Sequence, residues 1–286
     1  MGWQSKLVLL AVLPFAGADV LLACYSWAAR SAPVVIWTVG LSALLGMVTW
    51  KLRAATPAAA ATGAAITASL MFSTAVLPYA PWHSALIPTL AVSVLAFAAT
   101  RVGRTKKERL GTAERRMGRS ASQVAANLGL AALVASGPVQ SWLLDCRWIR
   151  HNFSAQAPFF ALALAALAEA AADTVSSEIG QVLGGRPRMI TTLRAVDPGK
   201  DGGVSLAGSL AGVVAAGVVA CAGTWALRAD LTLFAVSSAG AVFGLFFDSL
   251  LGATLEEWGW LNNDAVNFLS TASAAGLALL ILAVRG

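Results

Sequence analysis

The chain has 286 residues, of which 58% are apolar and only 12% charged, with a formal net charge of +6. A soluble domain carries about twice that share of charge, so a soluble fold is excluded, and the lack of strand-like alternation argues against a barrel. What remains is an all-α, polytopic transmembrane helical bundle, because lipid leaves no backbone group unpaired, in one integral membrane domain over 1–286.

A spanning helix needs about 20 mostly apolar residues. Nine such stretches follow one another: 7–29, 33–50, 57–79, 83–100, 121–144, 158–180, 204–227, 231–251 and 265–284. The first begins after Lys6. It is too long, and lacks too clear a small-residue cleavage site, to be a signal peptide. Cys24 and Cys221 fall in apolar runs as packing residues, and the three cysteines show no metal-ligand or disulfide spacing.

Between the fourth and fifth stretches lies a basic loop, 101–119. It holds Arg101, Arg104, Lys106, Lys107, Arg109, Arg115, Arg116 and Arg119 against Glu108 and Glu114. No aromatic interleaving accompanies it, so nucleic acid is not the expected partner. The positive-inside rule places this loop in the cytoplasm. The N-terminus, the glycine-rich loop 184–203 and the acidic loop 252–264 then follow it inside. Arg147 and Arg150 on the outer side are the main strain on that topology, and the setting expected is a bacterial inner membrane.

Four polar segments interrupt the apolar pattern. "GRSASQVAANLG" (118–129) places Gln123 and Asn127 four apart on one helical face. Interhelical hydrogen bonding is their bland role. "AEAAADTVSSEIG" (168–180) puts Glu169, Asp173 and Ser177 on one face, with Glu178 about 140° away from Asp173. Carboxylates near a helix C-terminus oppose the dipole, so a metal, a lysine or an arginine is expected beside them. The bland candidate is Lys200 or an arginine of 186–194. "DPGKDGGVS" (197–205) combines Gly199, Lys200, Gly202 and Gly203 ahead of a helix start at Ser205. Such a turn suits phosphate, and equally a flexible turn capped by Ser205. "DSLLGATLEEWGWLNNDAVNFLS" (248–270) carries Asp248, Asn263, Asp264 and Asn267. Asn263 is a candidate helix cap. Oxygen ligands of this kind suit Mg²⁺, which leans on substrate phosphates.

Only His83 and His151 are present, both expected on the outer side. A histidine triad or zinc chemistry is therefore disfavoured.

The four segments in this order resemble the membrane family that contains plant phytyl-phosphate kinase and transmembrane protein 19. That family is itself distantly similar to the CTP-dependent dolichol and phytol kinases. The resemblance covers roughly 35–285 and is specific from about 118 onward. Val175 departs from it, standing where many relatives carry an aromatic.

The resemblance implies phosphoryl transfer from a nucleoside triphosphate, CTP by the wider likeness, to an isoprenoid monophosphate. Asp173 and Glu178 fall in its acidic motif. Lys200, Gly202 and Gly203 fall in its glycine loop. Asp248, Asn263, Asp264 and Asn267 fall in its last two motifs. On this basis Asp173, Glu178, Asp248 and Asp264 are expected to hold Mg²⁺, and Asp173 and Lys200 to be catalytic. Ser177, Gly199, Ser205, Asn127 and neighbouring amides would face the substrates. Lys106, Lys107 and Arg119 would face the lipid phosphate or anionic lipid headgroups.

The expected partners are that lipid substrate and the surrounding membrane lipids, with room for a homodimer. Two rivals stay open: a lipid or small-molecule transporter, and a lipid enzyme that transfers a cytidylyl group and releases pyrophosphate.

Overall fold

The computed structural model describes residues 1–114, 117–146, 149 and 157–285. Arg115, Arg116, Arg147, Arg150 and His151 lie outside the described residues.

The chain folds as helices α1 (Trp3–Ala28), α2 (Ala32–Lys51), α3 (Pro57–Ser73), α4 (Leu86–Arg101), α5 (Arg104–Leu110), α6 (Ala121–Ala135), α7 (Gly137–Asp145), α8 (Ala157–Leu183), α9 (Leu206–Ala226), α10 (Leu231–Leu251) and α11 (Asn263–Arg285). A two-residue hairpin pairs β1 (Arg188–Met189) with β2 (Gly203–Val204), antiparallel.

Six of the described helices are long and apolar enough to cross a membrane: α1, α2, α8, α9, α10 and α11. The count becomes eight if two bent pairs are each one span, α4 with α5 (67°) and α6 with α7 (63°). The nine spans expected from hydropathy also count α3, an apolar helix of 17 residues that is shorter than those eight. Helix α3 ends at Ser73, short of the 57–79 run. Hydropathy read the apolar loop after α3 as helix.

Helix α8 is the axis of the bundle. Its most apolar stretch is 83% buried inside the protein, against 22% for α1 and for α2. Alanine dominates the buried positions of α8, from Ala161 to Ala172. Without a hydrophobic drive in lipid, helices associate through close packing of such small residues. The peripheral helices instead turn large side chains outward, among them Leu10, Phe15, Leu21 and Ile36. An apolar surface of that extent suits a lipid surrounding. Cys221 belongs to this exposed surface rather than to the packing.

Helices α4, α8 and α10 end, and α6, α9 and α11 begin, at the same end of the bundle. The N-terminus belongs to that end as well: Gln4 Nε2 donates to the Trp260 carbonyl at 2.6 Å, and Asn262 Nδ2 donates to Ser5 Oγ at 3.0 Å. His83 sits at the opposite end, where its Nδ1 lies 3.2 Å from the Ala226 carbonyl. The polar segments, nearly 150 residues apart in sequence, are gathered by this alternation of helix directions.

Candidate functional site

A polar cavity of about 320 Å³ opens at that end, between α6, α8, α10, α11 and the glycine loop. Asp173 supplies its acidic wall from α8 and Asp248 from the last turn of α10. The two carboxyls lie within hydrogen-bonding reach of each other. Carboxyls this close need a cation or a proton between them. Asp248 Oδ1 is buried with no hydrogen-bond partner, and so is Glu169 Oε1, one turn back from Asp173. Glu169 is 1% exposed.

The glycine loop forms the opposite wall. Gly199 and Gly202 have φ of +89° and +73°, a region that side chains disfavour. Gly202 also lies flat against a wide helical turn, Gly252–Glu256, that follows α10. A Cβ on Gly202 would come 2.4 Å from Ala253 Cβ. Lys200 lines the cavity and its Nζ pairs with Glu257 Oε1 at 2.9 Å, both side chains being more than 40% exposed. The Glu257 carboxylate raises the Lys200 pKa, first by hydrogen bonding and then by charge. Asp201 beside it is pushed up by burial, an effect that Lys200 partly opposes. Ser205 lines the cavity and caps α9, accepting from the Gly208 amide at 3.1 Å.

Arg119 and Asn127 close the third side. Arg119 Nη2 donates to Thr174 Oγ1 at 3.3 Å, and its charge acts on Asp173. Asn127 is buried and donates to the Gln123 carbonyl at 2.8 Å. Gln123 is committed to a capping box with Ser120. Ser177, Asn263 and Asn267 complete the lining.

Three expectations need correcting. Asn263 does not cap α11: Asn262 Oδ1 accepts from the Ala265 amide at 3.0 Å, which leaves Asn263 as the first helical residue, exposed at the cavity. The positive partner of Glu178 is neither Lys200 nor an arginine of 186–194. Lys107 Nζ reaches Glu178 Oε2 at 2.5 Å, while Glu178 Oε1 accepts from Thr100 Oγ1 at 3.0 Å. Lys107 itself is 1% exposed, and its Nζ also donates to the Ala99 carbonyl at 2.9 Å. A lysine so enclosed does not line the cavity and has no donor left for a lipid phosphate.

Asp264 is buried in the first turn of α11 and is not part of the cavity wall. Among the described residues no three His, Cys, Asp or Glu side chains converge tightly enough to hold a metal unaided. A divalent cation here would take two carboxylates from the chain and its remaining oxygens from substrate and water. That is how Mg²⁺ is ordinarily held, and the unpartnered Asp248 oxygen fits it.

The sequence reading passed over two features. Spacing alone groups Glu169 with Asp173, and the unpartnered Oε1 of Glu169 emerges only from packing. The second is an apolar cavity of about 130 Å³ that shares Glu114, Arg119 and Asn127 with the polar one.

The family of integral membrane proteins described as DUF92 matches residues 40–275, a stretch that contains all four polar segments. An uncharacterized membrane protein of Synechocystis is 32% identical over 204 residues, covering 69% of this chain and 73% of that protein. One from Methanocaldococcus jannaschii is 37% identical over 118 residues, 41% of this chain and 49% of that protein. Protein VTE6, chloroplastic, of Arabidopsis thaliana is 31% identical over 192 residues, 66% of this chain and 55% of that protein. The chain therefore spans about half the length of two of these three relatives. No solved structure matches it.

Proposed function

The chain belongs to the DUF92 family of integral membrane proteins, and from that premise we propose that it is a membrane phosphotransferase. It moves the terminal phosphoryl group of a nucleoside triphosphate, CTP by the motif resemblance, onto an isoprenoid monophosphate such as phytyl or geranylgeranyl phosphate. Membership agrees with the resemblance read from the motifs. The observation that carries the reading is the polar cavity. It sets paired carboxyls, a lysine-bearing glycine loop and an arginine around one space.

In this reading a phosphate oxygen of the acceptor attacks the γ-phosphorus of the nucleotide. The bond to the β-bridging oxygen breaks and the nucleoside diphosphate leaves. A phosphate monoester has a second pKa of about 6, so the acceptor is already a nucleophile at neutral pH and no general base is required. That suits a site with no histidine among its lining residues. The remaining problem is bringing two anions together, and positioning with charge neutralisation supplies most of such catalysis.

Lys200 and the amides of the glycine loop would hold the nucleotide phosphates, and Arg119 the acceptor phosphate. Asp173 and Asp248 would hold Mg²⁺, with Asn263 and Asn267 offering amide oxygens nearby. When bound, Mg²⁺ would neutralise charge on the phosphoryl oxygens. Glu178, neutralised by Lys107, keeps α8 in register beside them. The cavity end of the bundle would face the cytoplasm, where the nucleotide is available.

The test is a panel of nucleotides and prenyl phosphates assayed with purified protein in detergent. Formation of the prenyl diphosphate with release of nucleoside diphosphate supports the reading. Release of pyrophosphate would assign cytidylyl transfer instead, and lipid flux without nucleotide consumption would assign transport.

A further inference from the structure

The 130 Å³ cavity lies between α2, α3, α4, α6 and α8. Its wall is apolar and small-residued along Ala59, Ala60, Gly63, Val92 and Ala96. Toward the site end it acquires Arg53, Arg101, Arg104 and Arg119, with Glu114 as the one carboxylate among them. Glu114, Arg119 and Asn127 line both this cavity and the polar one. The apolar slot therefore adjoins the polar cavity, with a guanidinium in the wall between them.

We propose that this slot receives the hydrocarbon of the acceptor lipid, with the phosphate held at the Arg119–Asn127 junction. The inference rests on the phosphotransferase reading and deepens it by naming where the acceptor lies. Two observations select this occupant. Four arginines against Glu114 leave the mouth net positive, which is complementary to an anionic head. The slot also shares wall residues with the space where the phosphate would react.

Size sharpens the proposal. Sites that enclose a whole small ligand measure about 300–1,000 Å³. At 130 Å³ the slot takes only the carbons next to the head and leaves the rest of the chain to the bilayer. The protein then reads the head and the first carbons, and prenyl phosphates of different length are used with similar KM.

Gly63 provides the means to test this. A Cβ there would meet only Val124 Cγ1, at 3.7 Å, so a larger side chain enters open space instead of clashing with backbone. Gly63→Leu should raise KM for the lipid about tenfold, the value of displacing about two methylenes. It should leave kcat and the nucleotide KM near wild type. Ala96→Leu, entering from α4, should act likewise, and thermal unfolding in detergent identifies any variant that has lost its fold.

A geranylgeranyl phosphate carrying a diazirine near its head supplies a readout independent of turnover. Its label should fall on peptides of α3, α4 or α6, and Gly63→Leu should suppress it. Labelling there without any turnover keeps the slot and defeats the phosphotransferase reading. Turnover with labelling elsewhere, or with lipid KM unchanged in both folded variants, overturns the slot alone. Label displaced by ordinary phospholipid as readily as by unlabelled prenyl phosphate also overturns it.

Discussion

Lys107 Nζ stands 2.5 Å from Glu178 Oε2, joining the short helix after the α4 bend to the central helix of the bundle. The lysine side chain is 1% exposed and the glutamate 12%. Removing one member of such a pair strands the other charge, at a cost of about 3–5 kcal/mol. Lys107→Met should therefore lower the unfolding temperature in detergent sharply. Lys107→Met combined with Glu178→Met should recover a large part of that loss, because no charge is then stranded. If the double variant were less stable than either single one, the pair would not be acting as a unit.

Asp173 on α8 and Asp248 on α10 stand side by side in the wall of the cavity. Each is expected to act only while both are present. Asp173→Asn and Asp248→Asn should each lower kcat by about 10²-fold or more, the range seen when one electrostatic contact to a transition state is lost. The double variant should lose little beyond the worse single one, since groups that work as a unit are non-additive. The same substitutions remove repulsion between two carboxylates, so unfolding temperatures should hold or rise. Loss of activity accompanied by loss of fold would point to a structural role instead.

Lys200 is held by Glu257 at 2.9 Å on the rim of the cavity. The carboxylate favours the ammonium form, so the Lys200 pKa lies above its ordinary value. Deprotonation is thereby delayed to higher pH. If Lys200 holds nucleotide phosphates, the alkaline limb of kcat/KM belongs to it. Glu257→Gln should then move that limb to lower pH and leave the neutral plateau nearly unchanged. Lys200→Met should remove the limb and raise the nucleotide KM by about 10–100-fold, the worth of a charged hydrogen bond. A limb that survives in Lys200→Met belongs to another group.

Much of the polar cavity was legible in the sequence, for a physical reason. In a chain that is 58% apolar, a carboxylate or amide inside a span costs enough free energy to stand out. Asp173, Asp248 and Asn267 declare themselves in that way, and Gly199 to Gly203 by a composition that only a turn can use. The partner of Glu178 was not legible. Lys107 lies 71 residues away and reaches it only because the chain bends by 67° after Arg101.

Asn262 took the cap expected of Asn263, a slip of one residue of the kind that helix ends ordinarily produce. The apolar slot had no signature at all. Ala59, Ala60, Gly63 and Ala96 read as close helix packing, and only the arrangement of five helices leaves space between them.

Gly202 and Gly111 offer a comparison that separates backbone strain from packing in the glycine loop. Both have positive φ, +73° and +74°. A Cβ on Gly111 would meet nothing within 4 Å, whereas one on Gly202 would lie 2.4 Å from Ala253 Cβ. Gly111→Ala should therefore cost only the left-handed conformation, about 1–2 kcal/mol. Gly202→Ala should cost that plus the overpacking of a filled contact, about 1–3 kcal/mol more. The excess can be relieved only by moving the loop off the Gly252–Glu256 turn, which displaces Lys200 from the cavity. Gly202→Ala should accordingly weaken nucleotide binding, measured by calorimetry, while Gly111→Ala leaves it at the wild-type value. Equal nucleotide affinity in the two variants would mean that the close approach of Gly202 to Ala253 does not position the loop.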